Sequence, residues 1–302
     1  MRGLRVTEKK HRHKFASIGW CAQARAPKVQ DETTRLILLF YAFAREIAPF
    51  KRRLSRRTPL ALDGLHGFRA EIGGKRFTVV GHGIGHSRAS DTARRAFDLI
   101  PGAELVIGTG VAGALSSGLK PGDLVLSDRT LTIHTDGQVA EQVTTVGDAH
   151  IRAVGRSLAI AGIAYSTGAI LTSHRVLATG AEKRRAKEST GAIAVDMETA
   201  AIAAQAAARG IPFVAIRAVL DEVDDEIVGA AMADQDGNVR PLVATSYLIR
   251  NPATILKLPR LIRNLSRATT AIADALTAIA YDGEVPAAAR RARGPVERKY
   301  PR

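Results

Sequence analysis

The chain has 302 residues, of which 46% are hydrophobic and 24% charged, and this composition excludes a disordered polypeptide. A single cysteine, Cys21, excludes an internal disulfide framework and a multi-cysteine metal site. The formal net charge of +15 would suit a nucleic acid or an anionic membrane. The basic residues, however, are concentrated in four segments, and only 5% of the chain is aromatic, so no stacking platform and no nucleic-acid partner are expected. The four segments are 1–35, 51–57, 250–267 and 286–302.

Residues 1–33 carry many charges and no sustained periodicity, which predicts a disordered basic extension or an overlong start to the reading frame. The apolar stretch that follows, LILLFYAFA (36–44), is too short to span a bilayer and is predicted to be a buried strand. No secretory cleavage pattern follows it, so a cytoplasmic location is expected, with contact to the inner face of the membrane left open.

Strand-like apolar runs then alternate with helical patterns through most of the chain. This alternation indicates an α/β fold with much parallel sheet, which we expect to form one domain over 34–282. A disordered basic tail is predicted over 283–302. The predicted strands are 35–42, 76–82, 104–109, 123–127, 167–171, 192–196 and 213–219, and the predicted helices are 44–56, 87–99, 147–160, 178–188 and 198–209.

Two glycine-rich stretches each follow a predicted strand. GHGIGHS (81–87) opens a helix, and GTGVAGALSSGLKPGDLV (108–125) is predicted to be a second turn where backbone can approach a ligand closely. Neither has the spacing of the dinucleotide-binding fingerprint. Ordinary tight turns would explain either stretch alone.

A third stretch, AVDMETAAIA (194–203), places two acids where an apolar run ends and a helical pattern begins. Glu198 is either a first-turn acid that favours the helix or a group aimed into a cleft. Asp196 is explained as an acid at the N-terminus of the helix.

The stretches 107–128 and 194–226 together resemble the nucleoside phosphorylase and nucleosidase superfamily, especially its methylthioadenosine/adenosylhomocysteine nucleosidase branch. Their order and spacing agree with that family over about 34–230. The later stretch 234–268 is similar to the hopanoid-associated phosphorylases, which act on an adenosyl group carried by a polycyclic lipid. The resemblance implies a three-layer α/β/α fold with a mixed central sheet, and a homodimer.

The resemblance also implies roles for individual residues. Asp221 matches the aspartate that protonates the purine at N7, although a strand-end acid that caps the next turn is the ordinary alternative. Glu198 matches the glutamate that binds the ribose 2′ and 3′ hydroxyls, and Met197 would pack against the ribose or simply fill the core. Val176 and Leu177 are expected to line the base pocket.

Glu46 falls where the nucleosidase branch carries the glutamate that positions or deprotonates the attacking water, and a carboxylate there would repel a phosphate dianion. Gly110, Val111 and Gly113 are expected to lie in a loop near the nucleophile, together with Arg45. Hydrolysis is therefore favoured. Phosphate as a co-substrate stays open, and no metal and no other cofactor are expected.

Some positions depart from the small nucleosidases. In the small nucleosidases, serine is common at the positions of Val111 and Leu220. The loss of these serines affects the expected identity of the substrate more than the expected reaction class. Arg45, His82 and His86 would form an anion site if they face inward. His174 and Arg175 receive no role.

The late segment 248–280 combines Leu258, Leu261 and Ile262 with interleaved basic residues at helical spacing. It is either a basic amphipathic helix that lies on an anionic membrane or a core helix with a solvated charged face.

Three functions are therefore considered. The first is release of adenine from an adenosyl lipid, and the second is a phosphate-dependent phosphorylase, or a nucleosidase, that acts on a soluble nucleoside. The third is a non-catalytic binding protein.

Overall fold

The computed structural model describes residues 35–133, 139–143, 148–227 and 253–286, and for 139–143 and 253–257 it describes the backbone alone. The predicted extension 1–33, the segment 234–252 and residues 287–302 of the predicted tail lie outside the described residues.

The element order confirms the predicted alternation of strands and helices. All seven predicted strands and all five predicted helices are present. The strands are β1 (Leu36–Tyr41), β2 (Arg57–Pro59), β3 (His66–Ile72), β4 (Lys75–Gly81), β5 (Leu105–Ala114), β6 (Leu124–Ile133), β7 (Val139–Val143), β8 (Tyr165–Ser173), β9 (Ala194–Asp196) and β10 (Phe213–Asp221). The helices are α1 (Ala44–Lys51), α2 (His86–Leu99), α3 (Asp148–Ile160), α4 (Gly180–Thr190), α5 (Thr199–Ala207) and α6 (Ala253–Ala280).

The strands form one mixed sheet that curls on itself. On one side of β5 the sheet continues as β1, β4, β3 and β2. On the other side β5 pairs with both β10 and β9, and these are joined through β6 and β8, so five strands close into a ring. Each of these five strands therefore pairs with a neighbour on both sides, and the ring has no free edge.

The direction of the strands fixes where a ligand can bind. Strands β1, β4, β5 and β10 are mutually parallel, so their carboxyl ends meet at one edge of the sheet. Strand β9 reaches the same region from the opposite direction, because Val195 pairs antiparallel with Gly113. Residues that follow β1, β4, β9 and β10 therefore converge, as expected for an open α/β sheet that binds a ligand outside its strand ends.

Helices cover both faces of the sheet. One core cluster joins apolar residues of α1, α3 and α6 to one face, and a second joins residues of α2 and α5 to the other. This arrangement confirms the three-layer α/β/α fold. The small side chains of Ala89, Ala93 and Ala96 on α2 are fully buried, which lets this helix pack closely on the sheet.

The first part of the glycine-rich stretch 108–125 is a strand, contrary to the prediction, and the turn comes only after Ala114. Residues 108–114 continue β5, and Gly110, Val111 and Gly113 pair with β10. The absence of side chains at glycine lets neighbouring groups approach the strand. A Cβ atom on Gly108, for example, would lie 3.0 Å from the ring of Phe213. The expected nucleophile loop is therefore a strand whose face is open to other side chains.

Helix α6 has two different halves. The residues after Asn264 are largely buried in the core, including Ala268, Ile272 and Leu276. In the first half, Leu258, Leu261 and Ile262 are 38%, 39% and 61% exposed. The core-helix alternative therefore describes the second half, and membrane contact by the exposed first half stays a prediction. No helix in the described part of the chain is long and apolar enough to cross a membrane.

Candidate active site

Glu46 lies in the first turn of α1, and its carboxylate is buried beneath the end of β1. Its Oε2 accepts hydrogen bonds from the backbone N–H of Ala42 at 2.8 Å and of Phe43 at 3.1 Å, while Oε1 accepts from Val111 N–H at 2.9 Å. Burial raises the pKa of Glu46, against the opposing effects of Arg217 and of these three hydrogen bonds. The result is a fixed carboxylate that can accept a proton.

Arg217 lies in the middle of β10 and has no solvent exposure. Its Nη1 donates to the carbonyl oxygen of Thr109 at 2.9 Å, and Nε and Nη2 donate to Thr199 Oγ1 at 3.0 and 2.8 Å. Nη2 also lies 2.7 Å from Asp196 Oδ2. Gly110 keeps room for this group beside Glu46, because a Cβ atom there would lie 2.3 Å from Arg217 Nη1.

Asp196 does more than occupy a helix N-terminus. Its carboxylate accepts from the Thr199 N–H at 3.2 Å, as an acid at the N-terminus of the helix does, but it also accepts from Thr172 Oγ1 at 2.9 Å and pairs with Arg217. The interpretation of Asp196 as an acid at the N-terminus of the helix was therefore incomplete. Because both members of the pair are buried, each requires the other to remain charged.

Glu198 points into the same region and is 5% exposed. Its Oε1 accepts a hydrogen bond from the Gly85 N–H, 2.8 Å away, at the start of α2. Burial and the charge of Asp196 raise the pKa of Glu198 to about 7, with Arg217 and the Gly85 hydrogen bond acting against them. Of the two alternatives for Glu198, the geometry thus favours a group held in a cleft, and α5 itself begins at the next residue.

Three histidines surround this cleft. His82 is buried, and its Nδ1 donates to Gly83 O at 2.6 Å in the neutral tautomer, which leaves Nε2 buried without a hydrogen-bond partner among the described residues. Burial lowers the pKa of His82 to about 4. The rings of His86 and His174 lie 4.8 Å apart. Arg45 is exposed on α1, so the anion site considered for Arg45, His82 and His86 is not formed. Of these three residues His82 alone is buried, and it is uncharged at neutral pH.

Asp221 ends β10, four residues beyond Arg217. Its Oδ2 accepts a hydrogen bond from Lys183, which is fully buried on α4. Burial raises the pKa of Asp221, while Lys183 acts to lower it and Asp225 to raise it. Gly113 of β5 pairs with Asp221, and a Cβ atom on Gly113 would lie 3.1 Å from Asp221 Oδ2. A carboxyl group in this environment can hold and release a proton.

The loop between β8 and α4 lies next to the loop that follows Asp221, because Ile227 N–H donates to Ala178 O at 2.9 Å. Val176 is half-buried in the first loop, whereas Leu177 is buried in a small core cluster. Met197 is half-buried beside Glu198. Two groups of predicted residues are thus brought together, one around Glu46 and Glu198 and one around Asp221 and Val176.

The roles of Arg217 and Lys183 were not predicted from the sequence. A signal for Arg217 was available, since an arginine inside the apolar run PFVAIRAVL (212–220) must be paired when the strand is buried. Lys183 gave no such signal, because it lies in a helix with several exposed charges. Within the described ranges, no three histidine, cysteine or acidic side chains are grouped to bind a metal ion.

Comparison with known proteins identifies the family. Residues 37–246 match the family model described as the phosphorylase superfamily. The chain belongs to the phosphorylase superfamily. Its match to the 5′-methylthioadenosine/S-adenosylhomocysteine nucleosidase of Actinobacillus succinogenes is 31% identical and covers 61% of this chain and 85% of that protein. The corresponding protein of Haemophilus influenzae is 28% identical over 61% of this chain and 84% of its own length.

Solved structures of superfamily members share the fold. The futalosine hydrolase of Helicobacter pylori superposes with a TM-score of 0.64 at 18% identity, covering 82% of this chain and 98% of that one. The 5′-methylthioadenosine/S-adenosylhomocysteine nucleosidase of the same organism, in complex with a substituted pyrrolidin-3-ol, gives a TM-score of 0.64 at 19% identity, covering 82% of this chain and 97% of that one. The predicted superfamily and its fold are confirmed.

Proposed function

We propose that the protein hydrolyses the N-glycosidic bond of an adenosyl nucleoside, and that its physiological substrate carries the adenosyl group on a polycyclic hopanoid lipid, as adenosylhopane does. The observation that carries the reaction is the arrangement of acids along β5 and β10. Arg217 pairs with Gly110 beside Glu46, and Asp221 pairs with Gly113. Gly110 and Gly113 are three residues apart on β5, so the two ends are separated by about 10 Å, a span of the order of a purine nucleoside.

In the proposed reaction, the end of this arrangement at Asp221 binds the base, and the end at Glu46 and Glu198 binds the sugar. Asp221, protonated, donates its proton to N7 of adenine as the bond between C1′ and N9 breaks. Glu198 accepts hydrogen bonds from the ribose hydroxyls and opposes the positive charge that develops on the sugar. Glu46 takes a proton from the water whose oxygen bonds to C1′. Adenine and the free ribosyl compound are the products.

Water is favoured over phosphate as the nucleophile because of the charges around Glu46. A phosphate dianion would lie near the carboxylates of Glu46 and Glu198. The buried guanidinium of Arg217 is already committed to Asp196, Thr199 and Thr109. His82, with a pKa of about 4, is uncharged at neutral pH and offers no balancing positive charge.

A lipid substrate is supported by the first half of α6. Leu258, Leu261 and Ile262 form an exposed apolar patch at helical spacing, next to the exposed Arg263. Arg260 on the same half lies 2.9 Å from Asp225, in the loop that follows Asp221. We propose that this patch rests on an anionic membrane and brings the lipid-linked nucleoside to the site.

The reaction is tested by adenine release from purified protein, with methylthioadenosine and adenosylhopane as substrates, each with and without phosphate. We expect release from the lipid substrate at the same rate with or without phosphate. Asp221→Asn should lower kcat by about 10²-fold or more, because the proton donor is lost. Strict dependence on phosphate would establish the alternative, a phosphorylase, and release only from methylthioadenosine would establish a nucleosidase for a soluble substrate.

Membrane contact is tested by flotation with vesicles that contain anionic lipid. The wild type should float with them, and the double variant Leu261→Ser/Ile262→Ser should not. Ile160→Ser provides the control, because Ile160 is 55% exposed on α3, away from this patch. Equal flotation of the wild type and the double variant would reject this surface. The expected homodimer is a separate prediction, which sedimentation of the purified protein tests.

A further inference from the structure

Lys183 is the most deeply buried lysine of the described chain, with no solvent exposure. It lies in the first turn of α4. Its ammonium group donates to Asp221 Oδ2, to Glu222 O at 2.7 Å and to Asp225 O at 3.0 Å. A lysine ammonium has three N–H bonds, so these acceptors satisfy it completely.

The position of Lys183 is itself fixed by local structure. Thr179 begins α4 with a capping box, in which its Oγ1 accepts from Glu182 N–H at 3.3 Å and Glu182 Oε2 accepts from Thr179 N–H at 3.0 Å. The next residue is Lys183. The capped first turn of α4 therefore holds the ammonium group of Lys183 against one carboxyl oxygen of Asp221.

Replacement of both members of a buried ion pair by well-packed apolar residues is often no less stable, so stability alone does not account for the Lys183–Asp221 pair. The pair instead places the positive charge of Lys183 next to the carboxyl group of Asp221, which the proposed function uses as proton donor. Only one of the two carboxyl oxygens, Oδ2, is bonded to Lys183.

On the basis of the proposed function, we propose that Lys183 is a positioning residue for Asp221, which holds Oδ2 so that the proton leaves from Oδ1. The positive charge of Lys183 also acts to lower the pKa of Asp221. Lys183 does not contact the reacting atoms. It acts through Asp221 alone, by orientation and by charge.

Other charged groups face Asp221 less directly. Asp225, from the same loop, acts to raise the pKa of Asp221. The side chain of Glu222 is turned toward Lys120 and Arg260. Removal of the positive charge of Lys183 would therefore leave the effects of burial and of Asp225 unopposed, and the pKa of Asp221 would rise.

The experiment combines a titration with kinetics on the full-length protein. The Asp221 carboxyl carbon is observed by NMR in protein labelled with ¹³C-aspartate and is assigned by its loss in Asp221→Asn. In Lys183→Met we expect the midpoint to rise by about one pH unit or more. We also expect kcat for adenine release to fall by about 10²-fold while KM changes by less than about threefold.

Arg184→Met is the matched control. Arg184 follows Lys183 on α4 and pairs with Asp224 of the same loop, but both of these side chains are exposed. It should change neither the midpoint nor kcat. If Lys183→Met does not fold, Lys183→Gln removes the same charge and retains N–H donors, and the same rise is expected.

The outcomes separate the two proposals. An unchanged Asp221 midpoint in a folded Lys183 variant would overturn the positioning role, whatever happens to kcat, because a purely structural lysine would lower activity without moving the titration. A wild type that releases no adenine from any nucleoside would overturn the proposed function instead, and the titration would still report on the Lys183–Asp221 pair.

Discussion

Glu46 lies so close to Gly110 that a Cβ atom on the glycine would be 2.6 Å from Glu46 Oε1. Real Cβ atoms do not approach a heavy atom at that distance, so the carboxylate, the guanidinium of Arg217 or the strand would have to move. Gly110 also has φ +150°, which side chains rarely adopt. The glycine is thus what allows the acid and the arginine to lie side by side.

Gly110→Ala should therefore impair both folding and activity. We expect a loss of about 3 kcal/mol of unfolding free energy from overpacking and backbone strain. A displacement of Glu46 by about 1 Å should lower kcat by about 10²-fold. Urea unfolding and adenine release measure the two effects. Gly118→Ala is the control, because a Cβ atom there meets nothing within 4 Å and the substitution should be neutral. Equal results for the two variants would contradict the argument.

Arg217 and Asp196 allow a second prediction. Arg217→Met leaves Asp196 buried without its counter-charge, which should destabilise the fold by about 3–5 kcal/mol. Addition of Asp196→Asn should recover part of that loss, because the double variant no longer buries an unpaired Asp196 carboxylate, although Glu46 and Glu198 still lack the charge of Arg217. Urea unfolding of the two single variants and of the double variant gives the coupling energy.

The exposed pair Arg184–Asp224 is the reference for this cycle. Its disruption by Arg184→Met should cost less than about 1 kcal/mol, since solvent screens both charges. A coupling energy for Arg217 and Asp196 as small as that of the exposed pair would show that burial does not strengthen their interaction.

The fold could be predicted from the sequence where strands are buried on both faces. Strands such as β1 and β10 are continuous apolar runs, and their pattern is hard to mistake. Strand β3 was missed because it alternates exposed and buried residues near the edge of the sheet. A signal was present, since Gly73 and Gly74 have positive φ and form a two-residue hairpin turn between β3 and β4.

The site could be predicted only in part. The acids Glu46, Glu198 and Asp221 lie in motifs that the resemblance identified. Their partners are distant in sequence, because Lys183 is 38 residues from Asp221 and Gly85 is 113 residues from Glu198. Such contacts arise from strand pairing and helix packing, and local patterns carry no information about them.

Glu198 and His82 give opposite contributions to the pH dependence of stability. Burial raises the pKa of Glu198 from 4.5 to about 7, so its contribution to stability is full below pH 4.5 and is lost as the pH rises through about 7. Burial lowers the pKa of His82 from 6.5 to about 4, so its contribution is full above pH 6.5 and is lost as the pH falls through about 4. Each contribution amounts to about 3 kcal/mol.

Single substitutions should therefore separate two effects that offset each other in the wild type. Glu198→Gln keeps an oxygen for the Gly85 N–H, and relative to wild type it should gain about 3 kcal/mol of unfolding free energy between pH 5 and pH 8. The same variant should lose activity, because a neutral amide cannot oppose the charge on the sugar. His82→Gln should behave in the opposite sense, gaining about 3 kcal/mol relative to wild type as the pH falls from 7 to 4.

Urea unfolding of the wild type and both variants at a series of pH values measures these differences. Comparison with the wild type at each pH cancels the titration of all other groups that the substitutions leave unchanged. Two variants with the same pH dependence as the wild type would mean that neither group is buried in the free protein. A difference confined to Glu198→Gln would mean that only the carboxylate is held away from water, and that the ring of His82 reaches solvent.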